Sequence, residues 1–308
     1  MAAIALMVSG PTHAAHAFEG VRYPMQVLNL TEAHSPFEPA ETYSSHIFSL
    51  TRLHGTNDGE FSGACIKMKI HTLGEKMLLV DTAARGLMLK MPPEAFADSI
   101  HAPEWIRPGP GIQTGIFKLF PGISSGSFSM TAVIAELFWE KGFQGIDGIL
   151  STEILKPWVV SLNLPEMRMS LLSYENYNRQ PDWELPVTLA DNWWIAAVEI
   201  SGKRAMMLLD TGASRTYLSK HWLRDNLSLA SLGKRETNRG DSFFEAGKVS
   251  IRLKGAKELH KSVLAAPDEK LPYLLDPCID GVLAFDVLRE FTIDLDYNQE
   301  KIYLRHEK

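Results

Sequence analysis

Short runs in which hydrophobic and polar residues alternate recur from one end of the chain to the other. Residues 63–70, 158–164 and 168–172 all alternate in this way, which is typical of half-buried β-strands. Helical spacing is confined to brief segments such as residues 219–227, where Ser219 is placed to cap the first turn. The pattern predicts a mainly β protein with a few short helices.

Glycine, proline and polar clusters predict where these strands turn. Residues 105–127 contain five glycines and three prolines between short apolar runs, which predicts hairpins and loops. Residues 130–138 fit either a strand or a helix. Residues 242–253 are interpreted as a hairpin broken near Gly247.

A polar stretch at residues 173–182 is the best candidate for a linker. It divides the chain into an N-terminal lobe at residues 18–180 and a C-terminal lobe at residues 181–308. Residues 1–17 hold a short apolar segment and an Ala-His-Ala sequence that fits a secretory cleavage site, although the basic start of a signal peptide is missing. They are interpreted as the remainder of a signal peptide, or else as an irregular terminus. The first interpretation predicts a periplasmic or secreted protein with Phe18 at its mature end.

The two halves of the chain repeat one another. Residues 146–150 (Ile-Asp-Gly-Ile-Leu) recur as residues 279–283 (Ile-Asp-Gly-Val-Leu), at an offset of 133. Upstream, residues 77–84 (Met-Leu-Leu-Val-Asp-Thr-Ala-Ala) match residues 206–213 (Met-Met-Leu-Leu-Asp-Thr-Gly-Ala) at an offset of 129. Each half therefore has the same order: an apolar strand, Asp-Thr, a variable middle, an apolar segment around glycine, a helix and a hairpin.

Asp81 and Asp210 are the equivalent strand-end carboxylates of the two halves. Similar lobes usually pack about a pseudo-two-fold axis, near which equivalent residues meet. Two carboxylates a few ångströms apart cannot both ionise cheaply, so they share a proton and their pKa values split. The ionised member can take a proton from a water held between them, while the protonated member donates to the carbonyl oxygen under attack. This chemistry hydrolyses a peptide bond and uses neither a metal nor a cofactor.

The sequence Asp-Thr-Gly-Ala-Ser at residues 210–214 resembles the catalytic signature of the aspartic proteases of the pepsin and retropepsin superfamily. The apolar segments around Gly148 and Gly281, each followed by a helix and a hairpin, resemble the second hallmark of a retropepsin lobe. Both hallmarks occur twice and in order, so the resemblance covers about residues 60–173 and 194–305. It implies two retropepsin-like β-barrel lobes with pseudo-two-fold symmetry, fused in one monomeric chain that acts as an aspartic endopeptidase on polypeptides.

Four residues beside the aspartates are expected to support them. Thr82 and Thr211 can hydrogen-bond across the axis, and Gly212 lets backbone N–H groups approach the carboxylate. The resemblance implies a further hydrogen bond to the aspartate from the serine at the position of Ser214.

The first lobe departs from the family pattern at two positions. Ala83 stands where the family has glycine, and its Cβ could crowd the loop or shift Asp81. Arg85 stands at the position of Ser214, where a guanidinium would favour an ionised Asp81. One interpretation is a division of labour, with Asp81 as the base and Asp210 as the acid. The other is a catalytically degenerate protein that binds peptides in the same cleft.

The resemblance also implies flexible flaps over the cleft, formed by the middle of each lobe. The segments expected to form them are residues 109–126 and 240–247. The candidate substrate-contacting residues in these segments are Phe117, Phe120, Phe243 and Phe244.

A Gly-x-Ser-x-Gly pattern at residues 122–126 offers a minor alternative, a serine hydrolase with Ser124 as nucleophile and His306 as base. Such a nucleophile needs a strand before it and a helix after it, within a parallel α/β framework. The surrounding sequence predicts hairpins, so this alternative is the weaker one.

Composition and charge mainly argue against certain partners and sites. The formal net charge of −6 and the pI near 5.9 argue against a nucleic-acid partner. No sufficiently long apolar run predicts a membrane span, and the histidines show no metal-ligand spacing. Cys65 and Cys278 fit no metal site, and they are either a pair in an exported protein or two buried thiols. The cluster of Trp183, Trp193 and Trp194 is interpreted as core or lobe interface.

Overall fold

Strands and tight turns make up most of the described chain in this computed structural model, and the helices are short. The described residues all belong to one compact unit; they are 45–54, 62–92, 94, 100–101, 116–138, 145–178, 181–190, 193–227, 233–236, 242–256, 258–266 and 279–305. The predictions for residues 1–44, Cys278 and His306 lie outside these ranges.

The elements fall into two matching series. The first half contributes β1 (His46–Ser49), β2 (Thr51–His54), β3 (Ser62–Ile70), β4 (Gly74–Asp81), β5 (Leu87–Lys90), β6 (Ile100–His101), β7 (Ile116–Ser125), β8 (Phe128–Phe138), β9 (Gly148–Ser151), β10 (Val159–Asn163) and β11 (Arg168–Leu172). The second half contributes β12 (Trp183–Leu185), β13 (Val187–Ala190), β14 (Trp193–Ile200), β15 (Lys203–Asp210), β16 (Tyr217–Ser219), β17 (Gly233–Glu236), β18 (Ser242–Arg252), β19 (Leu259–Ala266), β20 (Gly281–Ala284), β21 (Thr292–Asp296) and β22 (Lys301–Arg305). The helical segments in the described part of the chain include α1 (Lys220–Asn226), α2 (Phe285–Leu288) and a 3-10 turn at Thr152–Leu155.

Each half closes into its own barrel. The first sheet has the strand order β2-β3-β4-β9-β5-β8-β7-β6, and an additional pairing of β3 with β7 closes it. The second has the order β13-β14-β15-β20-β16-β19-β18-β17, closed by β14 with β18. The two orders correspond strand by strand. This confirms the predicted mainly β fold with two similar lobes.

A third sheet joins the two halves, in the order β1-β11-β10-β21-β22-β12. At its centre, β10 of the first half pairs antiparallel with β21 of the second, and Ser161 lies opposite Asp294. These two residues are separated by the repeat offset of 133, so they are counterparts. Counterparts face each other only on a symmetry axis. The pseudo-two-fold axis therefore passes between Ser161 and Asp294.

The strands that lead to the aspartates bury both of their faces. In β4, Leu78 and Val80 lie in the main barrel core, while Leu79 packs into a separate apolar cluster on the other face. In β15, Leu209 lies in the main barrel core, and Leu208 packs into a separate apolar cluster. This double burial explains why the sequence before each aspartate is continuously apolar instead of alternating.

Of the segments predicted to alternate, residues 66–70 of β3 do so, whereas β10 and β11 are buried along almost their whole length. Along β14, every second side chain is buried. The hairpin of β10 and β11 forms as predicted, and Ser219 caps α1 by accepting a hydrogen bond from the N–H of Trp222 at 3.0 Å. Residues 130–138 are a strand, the first of the two predicted options.

The interpretation of residues 242–253 as a hairpin is wrong. They form the single strand β18, which pairs with β19 and carries a bulge between Glu245 and Gly247. Gly247 has a φ of 110°, a conformation that glycine adopts readily, so the chain absorbs one extra residue without turning back.

No helix among the described residues is long and apolar enough to cross a membrane.

Candidate active site

The two strand ends that carry the aspartates are built alike. Asp81 is the last residue of β4 and Asp210 is the last residue of β15. Each strand pairs in parallel with the glycine-led strand of its own half, with Asp81 beside Ser151 and Asp210 beside Ala284. The sheet therefore presents each carboxylate at the point where its strand gives way to a turn.

Backbone N–H groups of that turn hold one oxygen of each carboxylate. Oδ1 of Asp81 accepts hydrogen bonds from the N–H groups of Ala83 and Ala84, at 2.7 and 2.9 Å. Oδ1 of Asp210 accepts the equivalent bonds from Gly212 and Ala213, both at 2.8 Å. The two loops thus have the same hydrogen-bonding geometry, although one has alanine where the other has glycine.

Thr82 and Thr211 tie the two loops together. The hydroxyl of Thr82 donates to the carbonyl of Leu209 at 2.7 Å, and that of Thr211 donates to the carbonyl of Val80 at 2.8 Å. Each threonine N–H also donates to the hydroxyl of the other, at 3.1 Å in both directions. Both side chains are buried. These four bonds cross between the halves, as the sequence predicted for the two threonines.

Gly212 lies between the two carboxylates. A Cβ added there would be 2.3 Å from Oδ2 of Asp81 and 3.2 Å from Oδ1 of Asp210. The same point lies beside both carboxylates, and the negative charge of Asp81 acts on Asp210, so the two side chains are close neighbours. The structure therefore brings together the two aspartates that the repeat pairs. Ser214 follows in the same loop and is half-buried.

The environment of Asp210 favours its protonated form. Burial by the surrounding protein raises the pKa of Asp210 well above its usual range, and the negative charge of Asp81 raises it further. The N–H groups of Ala213 and Gly212 oppose this shift, because they stabilise the charged form.

The two departures of the first lobe both contact the second lobe. Ala83 packs, partly buried, against an apolar cluster whose buried members are Leu208, Ile279 and Val282. The guanidinium carbon of Arg85 lies 5.1 Å from the centroid of the Trp193 ring. Ala83 leaves the two backbone hydrogen bonds to Asp81 intact.

The repeated Asp-Gly pairs stabilise the strands behind the aspartates. Asp147 accepts a hydrogen bond from the N–H of Met77 at 2.9 Å, and Asp280 accepts the equivalent bond from Met206 at 2.8 Å. An added Cβ at Gly148 would lie 2.2 Å from the carbonyl oxygen of Met88. These pairs therefore have a structural role.

Of the three tryptophans, Trp194 is fully buried in the core and Trp193 is half-buried in the cluster beside Arg85. No pattern in the sequence indicates the contact between Arg85 and Trp193. A comparison of the repeats shows only that arginine replaces serine at one position.

The structure tests the predicted flap residues only in part. Phe120 lies on β7 and is 1% exposed in the barrel core, so it is not available to contact a substrate. Phe117 also lies on β7, and Phe243 and Phe244 lie on β18, while their side chains fall outside the described part of the structure.

Ser124 does not occupy a nucleophile turn. It lies within β7, opposite Ser129 in the hairpin of β7 and β8 and opposite Lys69 of β3. Ser124 is therefore flanked across the sheet by two antiparallel strands, β3 and β8. The serine-hydrolase motif needs instead a turn from a strand into a helix. The serine-hydrolase alternative is therefore wrong.

Comparison with known proteins places the fold. No protein-family model and no curated protein matches the chain. An aspartic proteinase from Irpex lacteus matches with a TM-score of 0.50 and 11% identity, covering 86% of this chain and 98% of that one. Conglutin gamma, a basic 7S globulin from lupine seeds, matches at 0.51 and 10% identity, covering 86% and 96%. The basic 7S globulin from soybean matches at 0.51 and 10%, covering 87% and 96%.

The chain therefore has the two-lobed fold of the pepsin-like aspartic proteinases. One of the similar structures is named as a proteinase and two are named as seed globulins. The fold is thus compatible with more than one function, and any activity has to be argued from the site itself.

Proposed function

We propose that this protein is an aspartic endopeptidase, which hydrolyses peptide bonds with a water activated between Asp81 and Asp210. The observation that carries the proposal is the pairing of these two strand-end carboxylates, which lie on either side of Gly212 and are held by matched backbone N–H groups. A pair of carboxylates in different protonation states supplies both the base and the acid that the reaction requires.

We assign the shared proton to Asp210, because burial and the neighbouring charge of Asp81 both favour its neutral form. Asp81, ionised, takes a proton from the water as its oxygen attacks the carbonyl carbon, and Asp210 gives its proton to the carbonyl oxygen. The resulting diol then collapses: Asp81 passes its new proton to the leaving nitrogen, and Asp210 recovers a proton from a hydroxyl of the diol. The C–N bond breaks, and both carboxyl groups return to their starting states.

Two features favour hydrolysis over a degenerate, peptide-binding protein. The loop around Ala83 makes the same two hydrogen bonds to its aspartate as the loop around Gly212. The reciprocal threonine bonds are equal in length on both sides. The first lobe thus keeps the geometry that the reaction needs.

The proposal takes a polypeptide as the substrate, needs no cofactor and assigns the activity to a single fused chain. It includes export to the periplasm or the medium, which rests on the cleavage-like sequence before Phe18. Terminal sequencing of the protein isolated from its source tests this part, and an uncleaved Met1 in the native protein would contradict it.

Casein cleavage by an Asp210→Asn variant tests the catalytic assignment. The amide can neither donate an acidic proton nor recover one, so we expect cleavage to fall at least about 100-fold. Asp225→Asn is the matched control, because Asp225 lies on the exposed surface of α1, where it pairs with His221. Absence of cleavage by the wild type at every pH, combined with measurable peptide binding, would support the degenerate alternative instead.

The pH profile of the wild type tests the direction of proton sharing. As the pH rises through the raised pKa of Asp210, both carboxylates become charged and the general acid is lost, so cleavage should decline. Folding stability should already decline between the ordinary carboxyl pKa and this raised pKa, because the unfolded chain is ionised there while the folded Asp210 keeps its proton. A stability profile that Asp210→Asn leaves unchanged would contradict the assignment.

A further inference from the structure

Two side chains of the Asp81 loop reach across to the second lobe at one place. Ala83 packs against the apolar cluster of Leu208, Ile279 and Val282, and Trp193 packs against the same cluster. The exposed guanidinium of Arg85 lies over the Trp193 ring, 5.1 Å from its centroid. This distance is within the range of a cation–π interaction.

The second lobe lacks the residues for an equivalent contact. The repeat places Ser214 at the position of Arg85. Cys65 pairs with Leu79 as Ile195 pairs with Leu208, so the strand register makes Gly63 the counterpart of Trp193. Neither serine nor glycine can form a cation–π interaction. The contact therefore exists on one side of the pseudo-two-fold axis only.

The Trp193 ring is held by its faces and not by its polar edge. Its indole Nε1 is buried and has no hydrogen-bond partner among the described residues. Leaving such a donor unpaired costs free energy. The packing of the ring, including its contact with Arg85, offsets that cost.

We propose that Arg85 and Trp193 form a one-sided clamp between the lobes that positions the Asp81 loop, so that both are positioning residues of the hydrolase. The proposal rests on the proposed function. The effect on Asp81 acts through neighbouring residues of the chain. Ala83 and Ala84 supply the N–H donors that hold Asp81, and Arg85 is the next residue. Fixing Arg85 on the opposite lobe fixes these donors relative to Asp210. The two departures from the family signature thus serve the geometry of the carboxylate pair.

Kinetics with a peptide substrate test the clamp. We expect Arg85→Ser, which installs the residue of the second lobe, and Trp193→Leu, which keeps bulk but removes the ring, to lower kcat about three- to tenfold. KM should change less than about twofold, because a displaced carboxylate impairs the transition state more than substrate binding. Trp193→Phe retains a ring face and should recover most of the activity. Arg204→Ser is the charge-matched control, since Arg204 is exposed at the far end of β15.

A double-mutant cycle separates a clamp from two independent effects. If the two residues act through each other, Arg85→Ser combined with Trp193→Leu should lower kcat no more than the stronger single variant. Multiplied losses, or single losses confined to KM, would overturn the proposal.

Thermal unfolding keeps the clamp testable apart from the proposed function. Each single variant should lower Tm by about 1–3 °C, and the double variant by less than the sum. A wild type that cleaves no substrate would refute the proposed function. The clamp would then be tested by comparing the Tm loss of the double variant with the sum of the two single losses. Additive Tm losses would refute the clamp whether or not the protein is a hydrolase.

Discussion

Gly212 and Ala83 occupy equivalent positions beside the two carboxylates, but they are not interchangeable. Ala83 directs its methyl group into contact with the apolar cluster of the opposite lobe. A methyl group on Gly212 would instead meet Oδ2 of Asp81 at 2.3 Å, closer than any stable contact. Small residues are thus required at both positions for different reasons.

We therefore expect Gly212→Ala to displace the carboxylate of Asp81 and to lower casein cleavage at least about 100-fold, the scale associated with a 1 Å misplacement of a reacting group. The protein should still fold, because the clash involves a side-chain oxygen and not the backbone. Ala83→Gly is the reciprocal control, and its activity should stay within about threefold of the wild type. Equal activities of the two variants would show that Gly212 is not limiting.

The residues of the catalytic loops could be predicted because the chain contains them twice. Asp81 and Thr82 are recognisable through their match to Asp210 and Thr211, even though Ala83 breaks the motif. The contact of Arg85 with Trp193 could not be predicted, because a repeat identifies what two halves share. A contact made on one side of the axis has no counterpart to match.

Among the elements, the central strands β9 and β20 depend on the glycines at their first positions. A Cβ on Gly148 would lie 2.2 Å from the carbonyl oxygen of Met88, and one on Gly281 would lie 2.3 Å from that of Tyr217. Both obstacles are backbone atoms of the neighbouring strands β5 and β16, so relief requires that a strand move.

Gly148→Ala should accordingly lower the free energy of unfolding by about 3 kcal/mol or more, as overpacking of a core does. Gly74→Ala separates this effect from backbone strain, since Gly74 has a φ of 78° but no atom within 4 Å of an added Cβ. It should cost about 1–2 kcal/mol. Urea denaturation of both variants gives the comparison, and a smaller loss for Gly148→Ala would refute the close-approach argument.

Element types could be predicted more readily than their partners. The capping serine of α1 is a local signal, and the structure confirms it. The long strand β18 was misjudged, because a glycine within a strand marks either a turn or a bulge. The pairing of β18 with β19 shows that the glycine marks a bulge. That pairing depends on how the barrel closes.

At the scale of the whole molecule, the two lobes are joined at a buried ion pair. Asp294 is 0% exposed, and its two oxygens accept hydrogen bonds from Arg305 and from the hydroxyl of Tyr177, both at 3.0 Å. Ser161, its counterpart, lies 3.4 Å from the same guanidinium. Asp294 and Arg305 both belong to the second half, so that half supplies both charges of this ion pair.

Asp294→Ala should lower the free energy of unfolding by about 3 kcal/mol, because it strands a partly buried guanidinium and a phenol without their acceptor. Ser161→Ala removes the 3.4 Å contact with Arg305 but leaves the ion pair in place, and it should cost less than about 1 kcal/mol. Chemical denaturation followed by tryptophan fluorescence measures both. Comparable losses would show that Arg305 finds other partners when Asp294 is removed.

Asp294 also constrains how the chain can be divided. If the second half existed alone as a homodimer, its axis would bring Asp294 face to face with its own copy, and Arg305 would be duplicated with it. Two ion pairs would then share the site that holds one ion pair opposite Ser161 in the fused chain. A protein cut between its halves should therefore reassemble as a heterodimer in preference to a homodimer of the second half.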